Sequence, residues 1–412
     1  MAWKKLSQEE IKSRVFNALK QNTNYAEEIV LGVPASYLDE RVFNQDATFL
    51  KDAPYISSLV QNPNHIGCHT LNHSESYFKG THEIEKELLG YCAEDILLAD
   101  EGSYDGYVAS GGTEANMQAI WIYRNYYKKV WNAKLDDIVI LCSSDSHYSM
   151  AKASNVLNID IAKIPVHEET RLCDRNSISA VIEEQKVLGK KYFIVICNMM
   201  TTMFGSVDNI NDFVYALKES GCLYRIHVDG AYGGFYYPFA NQNSDLNFEN
   251  EYITSFTMDA HKMAQAPYGT GVFLVRKGFM KYALTEEAKY VQGEDYTLIG
   301  SRSGANAIAV WMILSKSGPH GWFEKILILQ KRADWLCNAL KELGVDYYRN
   351  PYSNIVTISA KYVTPEIAHN YGLVPDNHDN PNWYKVVIMN HVELEKMEPL
   401  VRSLESYVYS LK

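Results

Sequence analysis

The 412-residue chain is 47% hydrophobic and 22% charged with only 12 prolines, which excludes a disordered protein and leaves enough apolar sequence for one large domain and a smaller one. A net charge of −11, with no Lys/Arg cluster beyond short pairs, speaks against a nucleic-acid partner, because phosphate backbones are held by basic patches. Seven cysteines without a C-x-x-C pair do not make a disulfide framework, and no apolar run nears the roughly 20 residues of a membrane span, so the chain reads as cytoplasmic and built for small-molecule chemistry.

The N-terminal stretch MAWKKLSQEEIKSRVFNALK mixes charges with apolar residues at helical spacing and lacks the apolar core of a signal peptide. From about Glu10 to Leu98 the pattern is helical but broken by Asn, Pro and His between Gln61 and His73. It predicts an arm over 1–75, ahead of the amphipathic helix THEIEKELLGYCAEDIL. Between Tyr107 and Arg276 the short apolar runs GYVA, IVILC, IDIAKI, YFIVIC, YRIHVD, YITSFT and GVFLV alternate with helical stretches such as EANMQAIWIYRNYYKKV. Runs of that kind predict a doubly wound α/β domain over 76–303, its mostly parallel sheet covered on both faces. After Arg302 two helical patterns, ANAIAVWMILSK and WFEKILILQKRADWLCNALKEL, precede short strands near NIVTISA and WYKVVIMN and a last helix, ELEKMEPLVRSLESYV. They predict a small C-terminal α+β domain over 304–412.

In doubly wound domains ligands gather at the carboxyl ends of the strands, so the residues just beyond each run carry the functional reading. After GYVA come Gly111, Gly112 and Thr113 at the start of a helix, where glycines and free N–H groups can cradle a phosphate, although a plain helix cap explains them as well. After IVILC comes His147, an imidazole able to lie on a flat ligand or move a proton. Thr201 and Thr202 follow YFIVIC as hydroxyl donors. Asp229 ends YRIHVD, where a carboxylate in apolar surroundings calls for a cation. Lys262 follows YITSFT; an amine held at the mouth of a buried strand loses basicity and becomes a nucleophile. A phosphorylated, planar, cationic aldehyde needs all of these at once. Pyridoxal 5′-phosphate would take Lys262 as a Schiff base, Asp229 at its pyridinium nitrogen, His147 on its ring and the Gly-Gly-Thr turn on its phosphate.

The motifs SGGTEAN, DSHYS, HVDGAYGG and DAHKM, in this order and spacing, resemble the group II pyridoxal phosphate-dependent amino-acid decarboxylases. This fold-type I family holds histidine, aromatic amino-acid, glutamate and serine decarboxylases. The resemblance covers about Ser74 to Val356 and is nearest to the shorter bacterial and plant members, whose GSRxG segment matches Gly300 to Gly304. It implies an amino-acid decarboxylase with Ala231 on the ring face opposite His147, and with Gly112, Thr113 and His261 near the phosphate. It also implies Arg302 on the substrate carboxylate, and His65 and His69 along the substrate entrance. A homodimer follows, with its active site between subunits and Ser301 reaching the neighbour's cofactor. The returning proton is expected from His147 or from a tyrosine of the loop between Tyr290 and Tyr296. Two departures stand out: Asp-Gly-Ala replaces the usual Asp-Ala-Ala, and Met200-Thr201-Thr202 replaces Gly-Thr-Thr.

Rival readings are a carbon–carbon lyase or a decarboxylating aldehyde synthase on the same scaffold, and a non-catalytic protein that kept the fold. His65, Cys68, His69 and His73 stand close enough in sequence to suggest a metal, but Pro63 and Gly67 break the helix that would align them, so no metal is expected.

Overall fold

The computed structural model describes residues 2–23, 46–71, 75–284 and 294–411. Each of the seven apolar runs forms a strand: β1 (Tyr104–Ala109), β2 (Ile138–Ser143), β3 (Asp160–Ile164), β4 (Tyr192–Asn198), β5 (Leu223–Gly230), β6 (Ile253–Asp259) and β7 (Gly271–Arg276). They form one sheet in the order β1-β7-β6-β5-β4-β2-β3. The five strands from β2 to β6 are parallel neighbours, whereas β7 runs antiparallel to both β6 and β1. Alternation along each strand divides its side chains between two cores. Val139 and Leu141 of β2 join one apolar cluster, while Ile138, Ile140 and Cys142 join the other.

Helices cover both faces. In chain order they are α1 (Gln8–Leu19), α2 (Pro54–Gln61), α3 (Lys79–Gly90), α4 (Gly112–Trp131), α5 (Ser149–Leu157), α6 (Arg175–Val187), α7 (Ile210–Ser220), α8 (Tyr237–Ala240), α9 (Gly304–Leu343), α10 (Pro365–Asn370) and α11 (Leu394–Ser410). Ser7 and Glu10 close a capping box at the start of α1, which satisfies donors the helix itself leaves open. Beyond the large domain, β8 (Tyr347–Tyr348), β9 (Ile355–Ser359), β10 (Val374–Pro375) and β11 (Trp383–Val387) form an antiparallel sheet in the order β10-β11-β9-β8. The two helical patterns expected after Arg302 are the two halves of α9, which meet at a break where Gly318 takes a non-helical φ of 63° and Pro319 follows. Proline removes an N–H and clashes with the preceding turn, so the two halves change direction there.

Candidate active site

The carboxyl ends of β2, β5 and β6 and the first turn of α4 meet around a cavity of about 300 Å³ lined by Gly111, Gly112, Thr113, His147, Ala231, His261 and Lys262, with Asn116, Tyr148 and Asp259 beside them. Lys262 stands on the turn that leaves β6: its N–H reaches the carbonyl of Asp259 (3.1 Å), and Gln265 N–H reaches the carbonyl of Lys262 (3.1 Å). Its Nζ lies 3.4 Å from Asp259 Oδ2, and its side chain is 34% exposed. Asp259 is almost wholly buried, with His261 Nδ1 3.1 Å from its other oxygen. Burial pushes its carboxyl above the usual range, and Lys262 and His261 oppose that shift.

Helix α4 starts directly after β1, and no side chain caps it. A Cβ on Gly112 would stand 3.0 Å from Asp259 Oδ2 and 3.1 Å from the Ala231 methyl, so any side chain there would fill the cradle. Asp229, at the end of β5, is 7% exposed; its Oδ2 accepts from Asn116 Nδ2 (3.0 Å) and its Oδ1 from the Ala231 N–H (3.1 Å). The Nδ1 of His147 is 2.9 Å from Ser149 Oγ and accepts from the Ser149 N–H (3.2 Å). Burial lowers the pKa of this imidazole. The Lys262 amine, the His147 imidazole and the glycine start of α4 line one cavity, and the buried Asp229 carboxylate, not itself in that lining, is joined to it through Asn116 and the Ala231 N–H; the set fits pyridoxal 5′-phosphate, the amine suiting its aldehyde, the glycine cradle its phosphate and the carboxylate its ring nitrogen.

Several expected site residues stand elsewhere. Thr201 is buried in the turn after β4, its hydroxyl spent on Ser206 Oγ (2.7 Å). Tyr296 packs in the apolar cluster behind β1 and β2, its hydroxyl on Glu294, and does not line the cavity. Ser301 is exposed and accepts from Asn64 Nδ2 (3.3 Å), outside the cavity of its own chain. Tyr290 and His73 lie outside the described residues.

The clearest correction concerns Arg302, His65 and His69. All three converge on Glu85 of α3 in a buried cluster: Arg302 Nη1 is 2.5 Å from Oε1, His65 Nδ1 2.8 Å and His69 Nε2 3.2 Å from Oε2. Arg302 also donates to the carbonyls of Val108 (3.0 Å) and Gly67 (2.5 Å). Burial works against the charge on Glu85, yet Arg302 and the histidines hold its carboxyl well below the usual range. None of the three is in the lining of the cavity, and among the described residues the guanidinium and both imidazoles face Glu85.

Asn116 and Asp259 received no role from the sequence alone. Asn116 sits one helical turn after Gly112, a polar residue between Ala115 and Ala119 on the buried face of α4, and that placement was the available signal. Asp259 ends β6 much as Asp229 nears the end of β5, and the same strand-end rule applied to it.

Comparison with known proteins agrees with this geometry. The family model described as the pyridoxal-dependent decarboxylase conserved domain matches residues 63–344. A tryptophan decarboxylase of Clostridium sporogenes is 47% identical over 407 residues, covering 98% of this chain and 97% of that protein. A histidine decarboxylase of Vibrio campbellii is 26% identical over 70% of this chain and 72% of its own length. Among solved structures, an L-methionine decarboxylase of Streptomyces sp. 590 superposes with a TM-score of 0.71 at 21% identity, covering 97% of this chain and 94% of the other. The glutamate decarboxylase of Lactobacillus brevis gives 0.68 at 17% identity over 96% and 98%. With a family model spanning the large sheet, the cavity and all of α9, and a full-length relative of this identity, the chain belongs to the pyridoxal-dependent decarboxylases, and it is a carboxy-lyase that uses pyridoxal 5′-phosphate to convert an amino acid to its amine and CO2.

Proposed function

We propose that the substrate is an aromatic L-amino acid, and that the enzyme works as a cytoplasmic homodimer. The observation that carries the substrate class is the likeness to the tryptophan decarboxylase, which runs through both domains at 47% identity, against 26% for the histidine decarboxylase. When bound, pyridoxal 5′-phosphate supplies a protonated ring that accepts the electron pair left as CO2 departs. Lys262, on the turn after β6, would hold the cofactor through its amine. Asp229 keeps a proton on the ring nitrogen, oriented by Asn116 and the Ala231 N–H. Gly111, Gly112 and Thr113 receive the phosphate at the start of α4, with His261 beside them. His147 and Ala231 would flank the cofactor's ring, and His147 would supply the proton that the substrate carbon takes in place of its carboxylate, with Tyr290 as the second candidate donor.

Cytoplasmic residence is supported by the cysteines: all seven are free thiols, six of them buried. Among the described residues no helix is long and apolar enough to cross a membrane. Dimerisation is supported by exposed apolar side chains around Ser301: Ile56 and Leu59 on α2, Leu298 and Ile299, and Tyr268, which is 88% exposed. The Asn64–Ser303 bridge joins the end of α2 to that segment.

A screen of CO2 release by the holoenzyme over the common amino acids tests the reading. Tryptophan, phenylalanine or tyrosine is expected to exceed histidine, methionine and glutamate in kcat/KM by about 10²-fold, since a pocket shaped for an aryl group leaves polar side chains unpaired. Equal turnover of histidine or glutamate, or an aldehyde in place of the amine, would overturn it.

A further inference from the structure

Asp229 and His147 come from different strands, yet a single side chain connects their supports. Asn116 Nδ2 lies 3.0 Å from Asp229 Oδ2 and 3.1 Å from Ser149 Oγ, while its Oδ1 lies 2.9 Å from His227 Nε2. A carboxylate can only accept, so the amide nitrogen must face Asp229 and the amide oxygen must face His227. That orientation fixes every proton around it. With Nε2 of His227 as the donor, Nδ1 accepts from the Ser255 hydroxyl 2.7 Å away, and Ser255 Oγ in turn accepts from the Tyr123 hydroxyl. Thr257 Oγ1, 3.1 Å from the same Nε2, is a second acceptor. On the other branch Ser149 Oγ accepts from Asn116, so its own proton goes to His147 Nδ1 at 2.9 Å, and the imidazole proton of His147 stays on Nε2. His227 is fully buried, and burial holds its pKa down to about 4, which keeps it in the neutral form this chain of bonds requires.

We propose that Asn116 is a positioning residue that couples the two sides of the cofactor site: it aims a donor at Asp229 and turns the Ser149 hydroxyl onto His147 Nδ1, where it reinforces the Ser149 N–H in holding the Nε2–H tautomer, with His227, Ser255 and Tyr123 holding the amide in that sense. This rests on the roles given above to Asp229 and His147. Neutral hydrogen bonds in a buried network reinforce one another, so reversing one member is felt at both ends.

Asn116→Asp tests it, because it exchanges a donor for an acceptor facing Asp229 with almost no change of volume. The titratable groups facing this position are Asp229, His147 and His227, with Lys262 and Asp259 on the cavity wall. Relative to the parent at each pH, the cofactor dissociation constant of the variant should rise about tenfold or more near pH 8 and clearly less near pH 5.5, where the two carboxyls can share a proton. A packing defect would weaken binding equally at both. Parent-like affinity, or a loss that does not change with pH, overturns the proposal. Should Asn116→Asp fail to fold, Asn116→Ala decides. The expected result is a shifted visible absorbance of the bound cofactor and kcat down about tenfold at nearly constant KM; an unchanged spectrum and kcat overturn the proposal. His227→Gln, whose amide N–H replaces Nε2–H, should retain more of the parent spectrum than His227→Leu. Borohydride reduction of the parent followed by peptide mapping separates the two levels: a pyridoxyl label anywhere but Lys262 rejects the site assignment itself, whatever Asn116 does.

Discussion

Asp208, fully enclosed just beyond β4, shows what burial does to a single carboxyl. It accepts from the Asn198 N–H (2.8 Å) and from Asn198 Nδ2 (2.7 Å), yet burial pushes its pKa from 3.8 up to about 6. Because the folded value lies above the unfolded one, the stability this group contributes is complete below about pH 4 and is lost as pH rises through 6. Asp208→Asn keeps an acceptor for Asn198 and removes the ionisation, so it should gain on the order of 2–3 kcal/mol on the parent between about pH 4 and 7. Thermal melts across that range check it, and a pH-independent difference would refute it. Arg302 poses the opposite case, a buried charge whose partner is Glu85, 217 residues away. Arg302→Met leaves that carboxylate without its cation and should cost about 3–5 kcal/mol of stability. Were Arg302 the substrate's anchor instead, KM would rise with the denaturation midpoint unmoved. The contrast explains what could be read in advance. Lys262, His147 and the Gly-Gly-Thr turn each follow directly on their own apolar run, and Asp229 stands one residue from the end of its strand. The tie between Arg302 and Glu85 depends on how α3 packs against the sheet, and no local pattern encodes that.

At the scale of elements, β2 and β6 are buried along their whole length, and a strand buried on both faces announces itself as a continuous apolar run, which is why they were legible; the edge strand β3, exposed at Asp160 and Lys163, was legible by its alternation instead. Helix α9 was legible as two helices because Gly318-Pro319 reads as a stop, and the backbone does leave the helical region at Gly318. The N-terminal segment packs there: Trp3 Nε1 donates to the Leu314 carbonyl (2.8 Å), and Leu6 N–H to that of Ser315 (2.8 Å). A Cβ on Gly318 would stand 2.7 Å from both N and Cβ of Lys5, at a φ that side chains rarely adopt. Gly318→Ala should therefore destabilise by about 1–3 kcal/mol. Gly321→Ala, three residues on with open space around its Cβ, should be neutral or stabilise by roughly 0.5–1 kcal/mol. Melting curves of the two variants side by side test the pair, and equal effects would mean that the kink is not held by the arm.

The whole molecule joins its parts through contacts of the small domain with the turn after β4 and of the chain after α2 with the segment before α9. From the small domain, Lys385 of β11 donates to the Thr202 carbonyl (2.9 Å) in the turn after β4, and burial, then the nearby Lys262, lowers its pKa. On the other side, α2 and the segment from Leu298 to Ser303 meet through the Asn64–Ser303 bridge and present Ile56, Leu59, Leu298 and Ile299 to solvent. Leu298 and Ile299 stand three and two residues before Ser301, the residue expected to reach a neighbouring cofactor, and the Asn64–Ser303 bridge ties the chain after α2 to the same segment. A two-fold interface doubles each contact, so one charge placed in the patch is buried twice in the dimer. The double variant Leu59→Asp, Ile299→Asp should sediment as a monomer at micromolar concentration while its far-UV dichroism matches the parent. On the proposed dimer, decarboxylation should fall with the dimer fraction, because the partner's segment around Ser301 would complete the cavity. A variant that stays dimeric would remove the patch from the interface. A monomer with full turnover would mean instead that the cavity at Lys262 is complete within one chain.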